Sequence, residues 1–437
     1  MQLIAFALPL LLGNIFQLLY NTVDTIVVGR FVGKEALAAV GSTSMITNMV
    51  VFFFNGLSIG AGVVISKSFG AKDLKKLHIS IETTIALTFM LCAFFTVLGI
   101  VFVKPMLVFM ATPEDVMPEA TVYLRTYMAG ISGLMIYNMA SGILRAVGDT
   151  TRPLYFLILT SVVNIVLDLF FVIKLGLGIF GVALATIIAQ FISAGLVLML
   201  LTKTDDVYKL VWKDLKLEKR TLREIFKIGL PAAIQATITA FSNAFVQSYV
   251  NFFGSSVMAG WSCYNKLDQF VFLPMSSMAN SATTFVGQNI GAGKTERANG
   301  GTITAVSVSL GITLLGAIVL CVFAEATNGI FSKDEEVIHY GALFVRTNTF
   351  FLLTNCVNHT LAGAIRGRGD SAGPMIAMLS SFVVIRQIYL FVMTRYILNT
   401  PITVALSYPV GWICCCIIII AYYHFRVRKR ELGERSI

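Results

Sequence analysis

Charge is what this chain has least of. Asp, Glu, Lys and Arg make up 13% of its 437 residues, 57% are hydrophobic, and mean hydropathy is +0.81. Soluble domains carry about 25% charged residues, so a soluble globular protein is excluded. The apolar runs are continuous over roughly 20 residues and do not alternate, which excludes a β-barrel and leaves membrane helices. Paired cysteines are also missing. Cys92, Cys263, Cys321, Cys356, Cys414, Cys415 and Cys416 form no Cys-x-x-Cys motif, and most sit in apolar runs. They read as small buried or lipid-facing side chains without a metal or disulfide role. The four histidines show no ligand spacing, and His359, inside a span, reads as a satisfied polar residue. No nucleophile–base, metal or phosphate-loop motif appears, so an enzyme is not expected. No cleavable signal peptide is legible either. The chain starts almost at its first apolar run, without the usual basic tail, which fits a truncated or mis-assigned start.

What remains is apolar. Runs punctuated by Gly, Pro and charge give twelve spans, at about 2–28, 40–65, 78–103, 121–143, 153–174, 179–201, 222–252, 263–286, 298–324, 338–363, 374–397 and 402–425. An even number puts both termini on one side. If that side is the cytoplasm, the loops 66–78, 145–152, 203–227, 287–300 and 366–374 and the tail 424–437 hold 23 of the 33 Lys and Arg. The positive-inside rule therefore makes both termini cytoplasmic, in a multi-pass plasma-membrane protein. It also accounts for the net charge of +10 without a nucleic-acid partner.

The chain repeats itself. Leu144–Pro153 (LRAVGDTTRP) returns 221 positions later as Ile365–Pro374 (IRGRGDSAGP), and Arg125-Thr126 returns as Arg346-Thr347. Gly70-Ala71-Lys72 returns near Gly291–Lys294, and Pro9 returns as Pro231. Six spans per copy give both copies the same orientation, hence a parallel repeat about an axis along the membrane normal. The expected fold is an all-α polytopic membrane protein. Its twelve helices form two six-helix bundles, residues 1–202 and 228–425. A linker, 203–227, joins them and reads as a solvated segment facing lipid head groups. A basic tail, 426–437, follows. The recurring Arg-x-x-Gly-Asp loops read as tight structural turns, with Pro153 and Pro374 opening the next helices.

Few polar residues interrupt the spans. Asp24 lies near the outer end of span 1 and Asp168 near the outer end of span 5. Thr186 falls at the same depth on span 6. Tyr20 and Asn164 sit one turn below the two acids, on the same helix faces. A carboxylate at the bilayer centre costs about 2.5–3.5 kcal/mol on insertion scales. Two carboxyl groups kept from water cannot both stay ionised cheaply, so a pair at matched depth reads as a proton site, and its oxygen neighbours also suit Na⁺. The second half has no such pair. Its charges are Lys266 and Asp268 in span 8 and Arg386 in span 11. A lobe-locking Asp268–Arg386 ion pair, a weak Asp268–Lys266 pair, or attraction of a cationic substrate are the alternatives there. Pro9 removes a backbone hydrogen bond inside span 1 and reads as a hinge.

At ALPLLLGNIFQLLYNTVDTIVVGR, FGAKD, LRAVGDTTRP with its copy, and NIVLDLFF, the chain resembles the multidrug and toxic compound extrusion (MATE) family, in its DinF-like branch. The resemblance covers all twelve spans. It implies a secondary transporter that exports cationic or amphipathic organic compounds against inward H⁺ or Na⁺, with no other cofactor, working as a monomer. It also implies that Asp24 and Asp168 are coupling carboxylates, with Tyr20, Asn164 and Thr186 beside them, and that Pro9 is the bending proline of span 1. The NorM-like branch places acids in spans 7 and 10, and here those spans contain no Asp or Glu beyond Glu224 at the very start of span 7. The alternative is a lipid-linked saccharide flippase of the same superfamily, which needs a cationic cavity. Among the candidates here only Arg386 is cationic. A major facilitator is disfavoured because the loop SKSFGAKDLKK lacks that family's Gly-rich Asp-Arg pattern.

Overall fold

The computed structural model describes residues 2–110 and 112–428. The end of the basic tail, 429–437, lies outside them. Among the described residues the regular structure is helical throughout. The first bundle contains α1 (Gln2–Val27), α2 (Lys34–Gly70), α3 (Leu74–Phe109), α4 (Met117–Val147), α5 (Thr151–Leu169) and α6 (Gly178–Lys203). The second runs from α7 (Lys219–Asn251) through α8 (Ser255–Gly291), α9 (Thr295–Val322), α10 (Ala324–Gly329), α11 (Glu335–Asn348), α12 (Leu352–Gly367), α13 (Ala372–Leu379), α14 (Arg386–Val392) and α15 (Pro401–Ala405) to α16 (Ser407–Tyr422). A short 3₁₀ turn at Thr349–Phe351 joins α11 to α12, and π-helical turns continue α13 into α14 and on to Ile397, so each series makes one span. The result is the twelve-helix, two-lobe fold expected.

The repeat is legible in the backbone. Lys34 and Ser255, Leu74 and Thr295, and Thr151 and Ala372 each open equivalent helices and are 221 positions apart. The positive-φ residues pair at the same offset: Gly33 with Gly254, Lys72 with Gly293, and Gly148 with Gly369. Each follows or precedes a helix end that must reverse, and glycine takes that conformation at least cost. Lys72 holds it without glycine (φ 56°). Asp149 and its copy Asp370 accept from backbone N–H groups of the next helix, as the turn reading required.

Two readings of the loops are corrected. The segments 66–78 and 287–300 are mostly helix, and only Ala71–Asp73 and Ala292–Lys294 interrupt them. The 37-residue α2 and α8 rise about 55 Å at 1.5 Å per residue, well past a hydrocarbon core of about 30 Å. Hydropathy locates the apolar part of such a helix and is blind to its wet extension. The linker is not merely solvated. Tyr208 and Leu210 are buried with Ile143, Leu144 and Leu201, and Arg152 donates to the Tyr208 hydroxyl (3.1 Å).

By its contacts the chain forms two compact units. One is Leu8–Ala233. The other holds the described residues before Leu8 and from Ile234 on. Both boundaries fall beside an intrahelical proline, Pro9 in α1 and Pro231 in α7. In the first unit α4 is the central helix, packed on α2, α3 and α6. In the second, α8 packs on α9, α11 and α12.

Candidate functional site

The site is assembled in the Leu8–Ala233 unit. Asp168 ends α5 and is fully buried, while Asp24 is half-buried near the end of α1. Their carboxyl groups face each other within hydrogen-bonding reach. Among the described residues no donor reaches Oδ1 of Asp24 or either oxygen of Asp168. Buried acceptors are ordinarily paired, and leaving one unpaired costs about 1–3 kcal/mol. Two acceptor-only groups facing each other can satisfy neither unless a proton or another cation stands between them.

The neighbours named from the sequence are here as well. Asn164, one turn below Asp168, is 2% exposed, and neither atom of its amide has a partner. Tyr20 lies beside Asp24, and Thr186 spends its hydroxyl proton on the carbonyl of Val182 (3.0 Å), leaving its oxygen free to accept. Tyr20, Asn164 and Thr186 then line a cleft that continues between α1, α4, α5 and α6. The remaining polar lining is Gln17, Tyr137, Asn138, Thr160, Ser161, Gln190 and Ser193, with Leu134, Leu157 and Ala189 the apolar members. Above it Tyr123 and Tyr127 stack (centroids 6.2 Å apart) beside the acid pair.

Sequence reasoning missed Gln17, Tyr137, Asn138 and Gln190. Gln17 and Gln190 lie one turn from Tyr20 and Thr186, so the same spacing rule reaches them. The α4 residues were not reachable, because α4 is rich in small and polar residues on several faces and nothing in its order says which face meets the cleft.

The second unit does not bring its charges together as an ion pair. Among the described residues Asp268 makes no salt bridge with Arg386 or Lys266. Arg386 is 3% exposed, lies over the Tyr408 ring (4.8 Å) and donates to Ser242 Oγ (2.7 Å). Asp268 meets the Tyr264 hydroxyl (3.5 Å), and Tyr408 is the neighbour it shares with Arg386. Lys266 lies over the ring of Phe331 (5.2 Å). Aromatic rings intervene where an ion pair had been one expectation.

The MatE family model matches this chain twice, over residues 9–170 and 231–392. Among its relatives, the Bacillus subtilis (strain 168) protein named Probable multidrug resistance protein YoeA is 26% identical, covering 98% of this chain and 94% of its own. Probable multidrug resistance protein YpnP of the same organism is 29% identical, covering 88% of this chain and 86% of its own. A solved structure described as MATE in the bent conformation superposes with a TM-score of 0.93 at 22% identity, covering 99% of this chain and 96% of that one.

Proposed function

Because the chain belongs to the MatE family, we propose that it is a secondary multidrug exporter in which Asp24 and Asp168 bind the coupling cation. The observation that carries this reading is the pair of facing carboxyl groups, three of whose oxygens are buried without a donor among the described residues. A shared proton satisfies both at once, and the free oxygens of Asn164 and Thr186 also suit Na⁺. Names borne by relatives, such as multidrug resistance protein, support organic compounds as cargo.

The adjoining cleft is the substrate chamber in this reading. Tyr20 and Asn164 belong both to the cation layer and to the cleft wall. A cation arriving at the carboxyl pair gives the Asn164 amide oxygen and the Tyr20 hydroxyl a new partner and so changes the chamber. Coupling requires that cation and substrate prefer different states of this shared layer. Pro9, whose nitrogen leaves the carbonyl of Ala5 without its helical partner, is the point at which α1 yields. Transport then proceeds by alternating access in a plasma membrane, with both termini cytoplasmic and one chain as the working unit.

Proton release on ligand binding tests this directly. Adding an amphipathic cationic dye to lightly buffered wild-type protein acidifies the solution by on the order of one proton per site. The Asp168→Asn protein releases none. Equal release from both rejects the assignment.

A further inference from the structure

The segment between α6 and α7 lies against the end of α3 that carries Lys75, Lys76 and Glu82. Thr83 of α3 donates to the carbonyl of Lys216 (3.3 Å) and accepts from the Glu218 N–H (3.2 Å), which pins the backbone there. Leu210 is buried in one cluster with Leu77, Ile81 and Ile85 of α3, and Leu215 packs against that cluster. These contacts use one face of the segment. The other face is open. Val211 is 36% exposed, Trp212 47% and Leu217 44%, and Lys213, Lys216 and Lys219 stand exposed among them. None of these three lysines forms an ion pair among the described residues. Two acids share the stretch. Glu218 turns to the start of α7, where it accepts from the N–H groups of Arg220 and Thr221, so Asp214 alone offsets the lysines.

Depth separates a solvated loop from an interfacial one. After Glu82, α3 carries no charge until Lys104. Met90, Phe94, Val97 and Val101 are between 48% and 65% exposed. They recur every three or four residues, so they form the stripe of α3 that meets lipid. Trp212 packs on Phe89 (ring centroids 6.1 Å apart), where that stripe begins and about 10 Å along the helix from Glu82. An indole at this level sits between the apolar core and the head groups, where Trp and Tyr collect. The exposed apolar side chains of the segment thus continue the lipid-facing surface, and the lysines beside them stand at the level of lipid phosphates.

We propose that residues 211–219 form a docking strip for anionic phospholipid, with Trp212 seated in the bilayer interface and Lys213, Lys216 and Lys219 meeting lipid phosphate. A zwitterionic bilayer offers the same apolar seat without net charge, so the choice between lipids falls to the lysines. Each lysine near an anionic surface is worth about fivefold in affinity. The strip lies apart from the carboxyl pair, and the inference does not depend on the coupling reading.

Tryptophan fluorescence reads this contact selectively. The chain has three tryptophans, and Trp261 and Trp412 are 1% and 5% exposed. The full-length protein is reconstituted into phosphatidylcholine nanodiscs that contain a fixed share of one brominated lipid, either phosphatidylcholine or phosphatidylglycerol. The Trp212 signal is the difference between the wild type and Trp212→Phe. Both brominated lipids are expected to quench it, the phosphatidylglycerol as if present at about five times its bulk share or more. Salt at about 1 M, where the Debye length is about 3 Å, weakens that preference. Lys213→Gln/Lys216→Gln/Lys219→Gln brings the two lipids to equal quenching, whereas the triple change to Arg keeps the preference. Equal quenching of the wild type by the two lipids overturns the proposal. So does a Trp212 quenched by aqueous iodide and by neither lipid, because the strip then faces water. A triple Gln variant that keeps the preference overturns it as well.

Discussion

Three buried carboxyl oxygens that no donor among the described residues satisfies are hard to explain as structure. Interhelical polar contacts in membranes are worth about 0.6–2 kcal/mol and work by pairing a donor with an acceptor. Asp24 and Asp168 do not form such a pair. Replacing Asp24 by Asn supplies a permanent donor and removes the ionisable group. Asp24→Asn should therefore insert and express as the wild type does, and efflux should fall to the background of vesicles lacking the protein. Because the two acids act as one unit, Asp24→Asn/Asp168→Asn should be no worse than either single change. Dye retention in cells expressing the four proteins, normalised to membrane expression, checks both statements. A double variant with an additive loss would mean that the residues act independently. These acids were legible in the sequence because charge is scarce in spans and topology fixes depth. Arg145 was read there as part of a turn motif, and the motif's Gly and Asp do form the turn.

Among helices, α1 and α7 stand apart. Each carries a proline close to a boundary between compact units. Only 17% of the apolar window of α1 is buried, the lowest among the described candidate spans, so its movement disrupts the least packing. A proline in a helix interior costs about 3 kcal/mol or more relative to alanine in soluble hosts. Pro9→Ala should raise the melting temperature in detergent by a few degrees and slow transport. A variant that transports at the wild-type rate would remove the hinge from the account. The first half of α7 is held differently. A Cβ on Gly60 of α2 would lie 2.5–2.7 Å from the Ile225 carbonyl oxygen and the Gly229 backbone, and neither can turn aside as a flexible side chain would. Gly60→Ala should cost about 1–3 kcal/mol, as overpacking does, and lower both melting temperature and yield. Gly56 and Gly60 form a small-x-x-x-small pattern visible in the sequence. Its partner helix was not visible, since contact between segments 170 residues apart follows from the fold and from no local signal.

The whole molecule is a duplication whose halves have diverged in chemistry while keeping their turns. Offsets of 221 in helix starts and in positive-φ positions preserve the backbone. The acid pair is not duplicated. Span number and repeat were both readable, because hydropathy and a constant offset are properties of order along the chain. The cleft was not, because it depends on which faces of four helices converge. The account therefore stands on the first half as the site of coupling. Its most direct test is substrate uptake into everted membrane vesicles with a pH gradient or an Na⁺ gradient imposed singly. The wild type should transport under one of these gradients and stop when that gradient is collapsed. Asp24→Asn, at equal abundance, should transport under neither. Gradient-driven transport by Asp24→Asn at the wild-type rate would contradict the claim that this carboxyl pair couples cation to substrate.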